Sequence, residues 1–452
     1  MTQKVVTRFA PSPTGNLNLG GVRAGIFAWL FARHNGGKFI VRIEDTDKER
    51  SKKEFENNIL ESLTWLDIDI DETYRQSEHV ARHEELLRKL VADDKAYVSK
   101  EDLKATPSRA KESPLRQEVI RFRNPNKKVT FFDCVHGQIE FDTTELKDFV
   151  IAKSFTEPIF HFALVADDWD EGVTHVVRGE DHISNTPRQI LIQEALGAPR
   201  PEYAHLPLVM GSDHSKLSKR KGAKAITEYR EAGYLPEAIL NYDAFLGWHP
   251  EGDEEIFTKE ELVRIFTLDR VQKNPAMFDE TKLLWFNAQH LKRLADDEYA
   301  KRLREFCRGR SSASAEDRPL QEFDARLVPL IKERAQTLEE AAQLLLEYDF
   351  LGSVSPDAKL LTQGGKLSAP NTSTHLQHVQ EMLSRLSDED FTPDGIKNAL
   401  WPYAEAEGRG AVLWPLRTAL SGRERSPDPF TIAALLRREE TLARIVRAVS
   451  VL

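Results

Sequence analysis

Residues 8–21 constrain this chain more than any other stretch, because they set a glycine-rich turn between a strand and a helix. The stretch reads RFAPSPTGNLNLGG, follows the apolar pair Val5 and Val6, and precedes a segment that predicts a helix from Val22 to Ala32. Prolines fix φ, and glycines lack the Cβ atoms that would keep a ligand away from the backbone. A helix N-terminus adds free N–H groups and a positive dipole end. The stretch predicts an anion or nucleotide seat, although an ordinary βα loop explains it equally well by itself.

A second stretch, residues 216–222, reads KLSKRKG and holds four cations within six residues. Such a run is usually a solvated loop. Neither stretch contains the Gly-Lys-Ser/Thr of a Walker loop or the G-x-G-x-x-G dinucleotide fingerprint, so these two nucleotide-binding classes are excluded.

Four blocks, taken together, resemble the bacterial glutamyl-tRNA synthetase family of class I aminoacyl-tRNA synthetases. They are RFAPSPTG at 8–15, RIEDTD at 42–47, RGEDHISNTPRQ at 178–189 and KLSKR at 216–220. The first and last correspond to the two ATP-binding signatures of the class, HIGH and KMSKS. The resemblance implies ATP-dependent attachment of L-glutamate to tRNA(Glu) through a glutamyl-adenylate, with ATP and Mg²⁺ as cofactors.

The resemblance also implies an α/β architecture: a Rossmann-type nucleotide-binding sheet split by an acceptor-stem insertion, then an α-helical stem-contact region and an α-helical anticodon-binding domain. The expected domains are the first sheet half at 1–71, the insertion at 72–159, the second sheet half with the KLSKR loop at 160–232, the stem-contact region at 233–310 and the anticodon-binding domain at 319–452. Residues 308–319, rich in serine and alanine, predict a linker before the last domain.

Site residues follow from the same resemblance. The expected catalytic and ATP-binding residues are Asn18, Gly20, Gly21, Lys216, Ser218 and Lys219. The expected glutamate-binding residues are Arg8, Ser12, Glu44, Phe160 and Arg178, with Glu44 receiving the α-ammonium group. The expected adenylate pocket contains Asp181, His182 and Leu208. Arg417 and Arg423 are candidates for anticodon contact.

Arg8 and Arg178 are candidate ligand-binding residues even without the resemblance. Val173 to Val177 predicts a buried strand that ends in Arg178, and the carboxyl ends of parallel strands face one crevice in such sheets. Two guanidinium groups there would suit a carboxylate side chain, through bidentate hydrogen bonds. The alternative is that each arginine pairs with a resident acid such as Asp45, Asp168 or Glu180.

Two positions depart from the family pattern. Asn18 stands where the family usually has a histidine that donates to ATP phosphate, and an asparagine can donate through its amide but carries no charge. Either Asn18 is a tolerated donor in a working enzyme, or the chain is a weakened tRNA-binding paralogue. Phe160 stands where the family commonly has tyrosine, so one hydroxyl contact is expected to be missing.

Local patterns predict the surrounding elements. Lys38 to Ile43 reads as a buried strand, Lys53 to Trp65 as a helix, and Phe160 to Asp168 as a return to the sheet. Many bacterial members of the family carry a cysteine-based zinc knuckle near position 97. Here residues 98–100 are Val-Ser-Lys, so no structural zinc is expected.

Composition bounds the remaining possibilities. The 452 residues, 40% of them hydrophobic, suffice for two to four domains, and no apolar run approaches a membrane span. The beginning of the chain lacks a signal-peptide core, and only Cys134 and Cys307 are present, so we expect a soluble protein of the reducing cytoplasm. The net charge of −10 hides basic clusters at 216–224, 302–310 and 417–447, which only the synthetase interpretation joins into a tRNA track.

Other functions remain open on the sequence alone. A shortened relative that glutamylates a tRNA base lacks the helical half seen here after residue 320, and glutaminyl-tRNA synthetase fits the KLSKR loop less well. A catalytically idle tRNA-binding protein has only Asn18 in its favour. Charging of tRNA(Gln) as well as tRNA(Glu) depends on anticodon contacts, and a monomer is the expectation by family default.

Overall fold

The computed structural model describes residues 4–102, 116–211, 213–217, 224–310, 323–348, 350–352, 354–363 and 368–452. The chain forms two compact units, residues 1–290 and 291–452. Of the sequence-based expectations, Ser218, Lys219 and most of the linker at 308–319 lie outside the described residues. No helix among the described residues is long and apolar enough to cross a membrane.

A seven-stranded sheet organises the first unit. Its strand order is β3-β2-β1-β10-β11-β6-β7, and every neighbouring pair is parallel except β6 with β7. Its strands are β1 (Val6–Phe9), β2 (Lys38–Ile43), β3 (Glu72–Arg75), β6 (Lys128–Asp133), β7 (Gly137–Asp142), β10 (His175–Gly179) and β11 (Glu202–Leu206). The order reverses beside β1, which is where open parallel sheets bind ligands. Arg8 in β1, Glu44 after β2 and Arg178 in β10 therefore share one edge.

A separate antiparallel sheet lies in the inserted part of the chain. It has the order β4-β5-β8-β9 and is formed by β4 (Ala96–Asp102), β5 (Arg116–Phe122), β8 (Phe149–Ser154) and β9 (Glu157–Pro158). The expected insertion at 72–159 contains more than the strands of this antiparallel sheet. Strand β3 and the hairpin β6–β7 also fall in that range, yet they pair with the strands of the main sheet. The described residues of this unit also form a short parallel pair, β12 (Val209–Met210) with β13 (Ala276–Met277).

Helices cover the main sheet. Those of the first unit are α1 (Leu19–His34), α2 (Lys53–Trp65), α3 (Val80–Ala92), α4 (Phe160–Asp170), α5 (Thr186–Leu196), α6 (Ile226–Glu231), α7 (Pro236–Ala244), α8 (Lys259–Ile265) and α9 (Glu280–Arg293), in which the boundary between the units falls. The central helix α1 buries Ile26, Phe27 and Trp29 almost completely in the core. Gly25 lies where a Cβ would come within 3.0–3.2 Å of the Phe9 ring, so a larger residue would require this ring to shift.

The return to the sheet expected at Phe160 to Asp168 is wrong, because these residues form helix α4. The run FHFALVADD is buried over nearly its whole length, and short apolar runs do not distinguish a buried strand from a buried helix. Together with the two residues that follow it, the run forms a helix of 11 residues, which is longer than a typical strand. Strand β10 then follows where Val173 to Val177 predicts it, shifted by two residues.

The second unit is helical. In the parts of this unit that the structure describes, the helices are Asp296–Arg310, Val328–Arg334, Leu338–Glu347, Ala358–Gln363, Ala369–Ser384, Pro393–Glu407, Arg409–Ser421 and Pro429–Ser450. Buried Arg444 on the last helix donates to the backbone oxygens of Phe350, Gly352 and Leu420, which joins three segments of the bundle. The same helix is broken at Arg437, where φ is 64°.

Candidate active site

A cavity of about 570 Å³ opens at the edge of the sheet where the order of the strands reverses. It contains twelve of the site residues expected from the sequence. These are Arg8, Ser12, Asn18, Gly20, Gly21, Glu44, Phe160, Arg178, Asp181, His182, Leu208 and Lys216. Four motif blocks that are far apart in the chain therefore meet on one surface.

The N-terminus of α1 forms one end of the cavity. The helix begins at Leu19, three residues before the predicted start, so Gly20 and Gly21 belong to its first turn. A Cβ built on Gly20 would meet only ordinary contacts at 3.9 Å, one of them to Leu217. The protein's own packing thus leaves room for a side chain at Gly20, and a ligand approaching the backbone explains the glycine better. The first turn holds no acidic residue, so its dipole end is open to an anion.

Asn18 is the N-cap residue of α1, a role that sequence reasoning missed. Its side-chain oxygen accepts a hydrogen bond of 2.8 Å from the backbone N–H of Gly21. An asparagine followed by an apolar helical run is a standard N-cap signal, and it was obscured here by the glycines that follow.

Replacing Asn18 by alanine is expected to destabilise the protein by about 1 kcal/mol, because the cap is lost. Asn18→Asp is the matched control, since it retains the accepting oxygen. Thermal unfolding of the three proteins measures the difference. Equal stability of Asn18→Ala and the wild type would contradict the assigned cap.

The segment before residue 218 reaches the same end of the cavity. The Leu217 N–H donates to the carbonyl of Val209 at 2.8 Å, and the Lys216 ammonium lies 2.6 Å from a carboxylate oxygen of Asp181. Burial raises the pKa of Asp181, but the pair with Lys216 outweighs it and leaves the pKa below its usual value. The KLSKR loop therefore begins beside the N-terminus of α1.

Arg8 is paired with a resident acid, as the alternative interpretation held. Its Nε and Nη2 atoms lie 3.1 and 3.3 Å from the two carboxylate oxygens of Asp168, and both side chains are buried. This arrangement is bidentate, which fixes the plane of the guanidinium group.

Arg178 differs from Arg8. It donates from Nε to His205 and from Nη2 to Thr186 and Gln189, while its buried Nη1 has no hydrogen-bond partner. Among the described residues no carboxylate lies within 4.0 Å of it. Burial and the nearby charge of Arg8 lower the pKa of Arg178 to about 10, so it remains a cation at neutral pH.

A buried ionic network supports Arg8 from behind. Arg42 is fully buried and its Nη1 lies 2.8 Å from Asp168 and 2.7 Å from Glu171. Its Nη2 lies 3.4 Å from Glu44. Its Nε lies 3.9 Å from Asp167, so one guanidinium group serves four carboxylates. Burial, only partly offset by Arg42, raises the pKa of Glu171 to about 8.

The raised pKa of Glu171 has a consequence for stability. Between its ordinary value of 4.5 and about 8, the folded protein holds a proton that the unfolded chain releases. Stability therefore falls as the pH rises through this window. We expect the stability of Glu171→Gln to decrease less with rising pH than that of the wild type. The melting temperature of the variant, relative to that of the wild type, should therefore be higher at pH 8 than at pH 5. A difference between the two proteins that does not change with pH would contradict this.

Glu44 is buried just after the end of β2. Its backbone N–H donates to the carbonyl of Pro11 at 3.0 Å, which ties the end of β2 to the proline turn. Burial raises the pKa of the Glu44 carboxyl despite the nearby Arg42. A ligand ammonium group would stabilise the ionised form. Ser12 is exposed at the mouth of the cavity, and the Phe160 ring lies 5.6 Å from the ring of His182.

The residues expected to form an adenylate pocket line the same cavity. Burial and the Arg178 cation lower the pKa of His182 to about 4, so its ring is neutral. Both backbone groups of Leu208 are hydrogen-bonded. Its N–H donates to the carboxylate of Glu180, and its carbonyl accepts from the N–H of Ala276. It therefore presents mainly its side chain.

Arg23 is a cavity residue that sequence reasoning missed. It lies on α1 three residues after Gly20, is almost completely buried, and donates through Nη2 to the carbonyl of Pro207. Burial lowers its pKa to about 10, and its Nη1 has no hydrogen-bond partner. A cation one turn into a helix that follows a glycine-rich loop is the signal that could have identified it.

The two candidates for anticodon contact lie in the second unit and both have structural partners. Arg417 stacks on Trp414 and donates to the carbonyl of Glu424. Arg423 donates to the carbonyl of Glu347 at the end of a helix. Among the described residues, no group of three His, Cys, Asp or Glu side chains is placed to hold a metal ion.

Comparison with known proteins gives matches along nearly the whole chain. The catalytic domain model of tRNA synthetases class I (E and Q) matches residues 4–118 and 99–285, and an anticodon binding domain model matches residues 287–449. The chain is 40% identical to Glutamate--tRNA ligase 1 of Acidithiobacillus ferrooxidans, over 98% of this chain and 99% of that protein. It is also 40% identical to Glutamate--tRNA ligase 1 of Alkalilimnicola ehrlichii, over 99% and 98% of the two proteins.

Solved structures are similar over the same extent. A glutamate tRNA ligase from Elizabethkingia meningosepticum, crystallised in complex with its amino acid, is 31% identical with a TM-score of 0.81 and 99% coverage of both chains. The glutamate-tRNA synthetase from Elizabethkingia anophelis is 30% identical with a TM-score of 0.77, covering 99% of this chain and 100% of that one.

Proposed function

This chain belongs to the class I tRNA synthetases for glutamate and glutamine (E and Q), and we propose that it attaches L-glutamate to tRNA(Glu) in an ATP-dependent ligase reaction. The family predicted from the four motif blocks is confirmed, and so is the fold class of an α/β catalytic part followed by a helical anticodon-binding domain. The observation that carries the proposal is the cavity, whose two ends have different chemistry.

One end suits the phosphates of ATP. The first turn of α1 presents the positive end of the helix dipole at Gly20 and Gly21, and Lys216 adds a cation beside it. Asn18 keeps its amide group for a phosphate oxygen while its carbonyl oxygen caps the helix. Lys219 follows Leu217 by two residues and would add a second cation. Asp181, His182 and Leu208 would surround the adenosine.

The other end suits an amino acid with an acidic side chain. Glu44 would receive the α-ammonium group, and Arg8 and Arg178 would receive the γ-carboxylate, with Ser12 at the mouth and Phe160 on the wall. Of the two arginines, Arg178 has the uncompensated charge and an unpartnered Nη1. The pair therefore offers one net positive charge to a carboxylate.

Activation of an amino acid by ATP needs no protein nucleophile. The α-carboxylate of glutamate attacks the α-phosphate in line, the glutamyl-adenylate forms and pyrophosphate leaves. A ribose hydroxyl at the end of the tRNA then attacks the adenylate, and AMP leaves. The site must bring two anions together and stabilise the leaving group, which positioned cations and N–H groups do. Mg²⁺ on the ATP phosphates would supply further neutralisation.

The tRNA end of the proposal rests on the second unit. Its match to an anticodon binding domain model supports tRNA as the partner. We propose a monomer that charges tRNA(Glu), with Arg417 and Arg423 as candidate anticodon contacts. Charging transcripts of tRNA(Glu) and tRNA(Gln) with labelled glutamate separates this specificity from that of an enzyme that charges both.

Exchange of labelled pyrophosphate into ATP tests the proposed reaction. The full-length protein is expected to support exchange that requires both L-glutamate and tRNA(Glu). Exchange with another amino acid but not with glutamate would overturn the substrate. An absence of exchange under all conditions, with tRNA binding retained, would instead identify an idle tRNA-binding paralogue.

A further inference from the structure

Arg178 is held entirely by neutral acceptors. Its Nε donates to His205 Nε2 at 3.2 Å, and its Nη2 donates to Thr186 Oγ1 at 2.9 Å and to Gln189 Oε1 at 2.7 Å. All three acceptors are almost completely buried. The arrangement fixes the guanidinium group without neutralising it.

His205 is kept neutral by its own surroundings. Its Nδ1 lies 2.6 Å from a carboxylate oxygen of Asp133, so Nδ1 carries the shared proton and Nε2 is free to accept from Arg178. Burial lowers the pKa of His205 further than the nearby carboxylate raises it. Asp133 also accepts from the backbone N–H groups of Val135 and His136, both at 2.9 Å. Its negative charge is therefore satisfied away from Arg178.

Gln189 is the informative residue of this set. Its Oε1 accepts from Arg178, but its Nε2 is buried and has no hydrogen-bond partner. An unsatisfied buried donor and a buried cation without a counter-charge both oppose folding. A glutamate at position 189 has nearly the same shape and would relieve both, because its carboxylate would pair with Arg178 and no orphan donor would remain. Compared with a glutamate, the amide of Gln189 thus leaves the charge of Arg178 available to a ligand.

The neighbouring arginines show that this fold readily supplies acids. Arg8 is paired with Asp168, and Arg42 lies among Asp168, Glu171 and Glu44. Arg178 lines the same cavity and its Nη1 remains unpartnered. Arg23 is another buried arginine of the cavity without a paired acid among the described residues, but it donates to the backbone carbonyl of Pro207 and not to side chains.

We propose that Gln189 is a positioning residue that determines specificity: it holds Arg178 through a neutral amide and so keeps the charge of Arg178 for the side-chain carboxylate of the substrate. The inference rests on the proposed function and deepens it. It assigns the preference for an acidic side chain over an amide to a residue that does not line the cavity.

The test is Gln189→Glu in the full-length protein, measured by tRNA-dependent pyrophosphate exchange and by thermal unfolding. The KM for L-glutamate is expected to rise at least tenfold, because a resident carboxylate now competes for Arg178. The inhibition constant of L-glutamine as a competitor is expected to change less than threefold, since an uncharged amide gains little from the free charge. The melting temperature is expected to stay the same or rise.

Gln193→Glu is the matched control. Gln193 lies one turn further along α5, is also buried and accepts from the Tyr203 hydroxyl instead of Arg178. Its KM for glutamate is expected to stay within threefold of the wild type. An unchanged KM in Gln189→Glu, an equal loss of glutamate and glutamine binding, or a larger fall in melting temperature than in the control would each overturn the inference. A wild-type protein without glutamate-dependent exchange would overturn the proposed function itself.

Discussion

Replacing Arg178 by alanine is expected to lower kcat/KM for glutamate-dependent exchange by at least about a hundredfold, equivalent to ~3 kcal/mol. Arg178 supplies the uncompensated cation at the amino-acid end of the cavity, and its side chain is largely buried. A substrate carboxylate placed there without its partner would be a buried, unpaired charge, which is a large penalty. Most of the loss is expected in KM, because the carboxylate is bound equally in the ground state and the transition state.

Arg200→Ala is the control for this prediction. Arg200 belongs to the same unit but is exposed and pairs with Glu194 on the surface, where an ion pair contributes at most about 1 kcal/mol. Its exchange kinetics should match those of the wild type. If Arg178→Ala lost less than threefold in kcat/KM while remaining folded, Arg178 would not be the group that binds the side-chain carboxylate.

The convergence of the site residues could be predicted because it depends on local patterns and one general rule. Arg8, Glu44 and Arg178 each occur at or just after the end of an apolar strand, and parallel strands present these ends at one edge. The turn at residues 8–21 likewise identifies the helix N-terminus from its glycines. Family resemblance added the roles of these residues, which spacing alone does not supply.

What the sequence did not yield depends on partners far away in the chain. The choice of Asp168 as the partner of Arg8 follows from the packing of α4 against the sheet, and α4 was itself expected to be a strand. Likewise, nothing near Gln189 in sequence indicates that it contacts Arg178 rather than solvent. The membership of β6 and β7 in the main sheet rests on pairing between Tyr203 and Asp133, 70 residues apart in the chain.

Replacing Arg42 by methionine is expected to produce the largest loss of stability. Arg42 is fully buried and its guanidinium group is the common partner of Asp168, Glu171 and Glu44. Methionine fills much of the space but leaves the acidic side chains around it facing one another without their shared cation. Removing one partner from a buried ionic network destabilises proteins by about 3–5 kcal/mol. For a unit of this size we expect a fall in melting temperature of roughly 10 °C, measured by calorimetry of the full-length protein.

Two comparisons distinguish the network from a general effect of losing an arginine. Arg50→Met removes an exposed arginine that pairs with Asp47, and its melting temperature should change by only about 1 °C. Because the remaining carboxylates can protonate, the penalty of Arg42→Met should also be smaller at pH 5 than at pH 8. A penalty that is the same at both pH values would mean that Arg42 stabilises the fold through packing and not through charge.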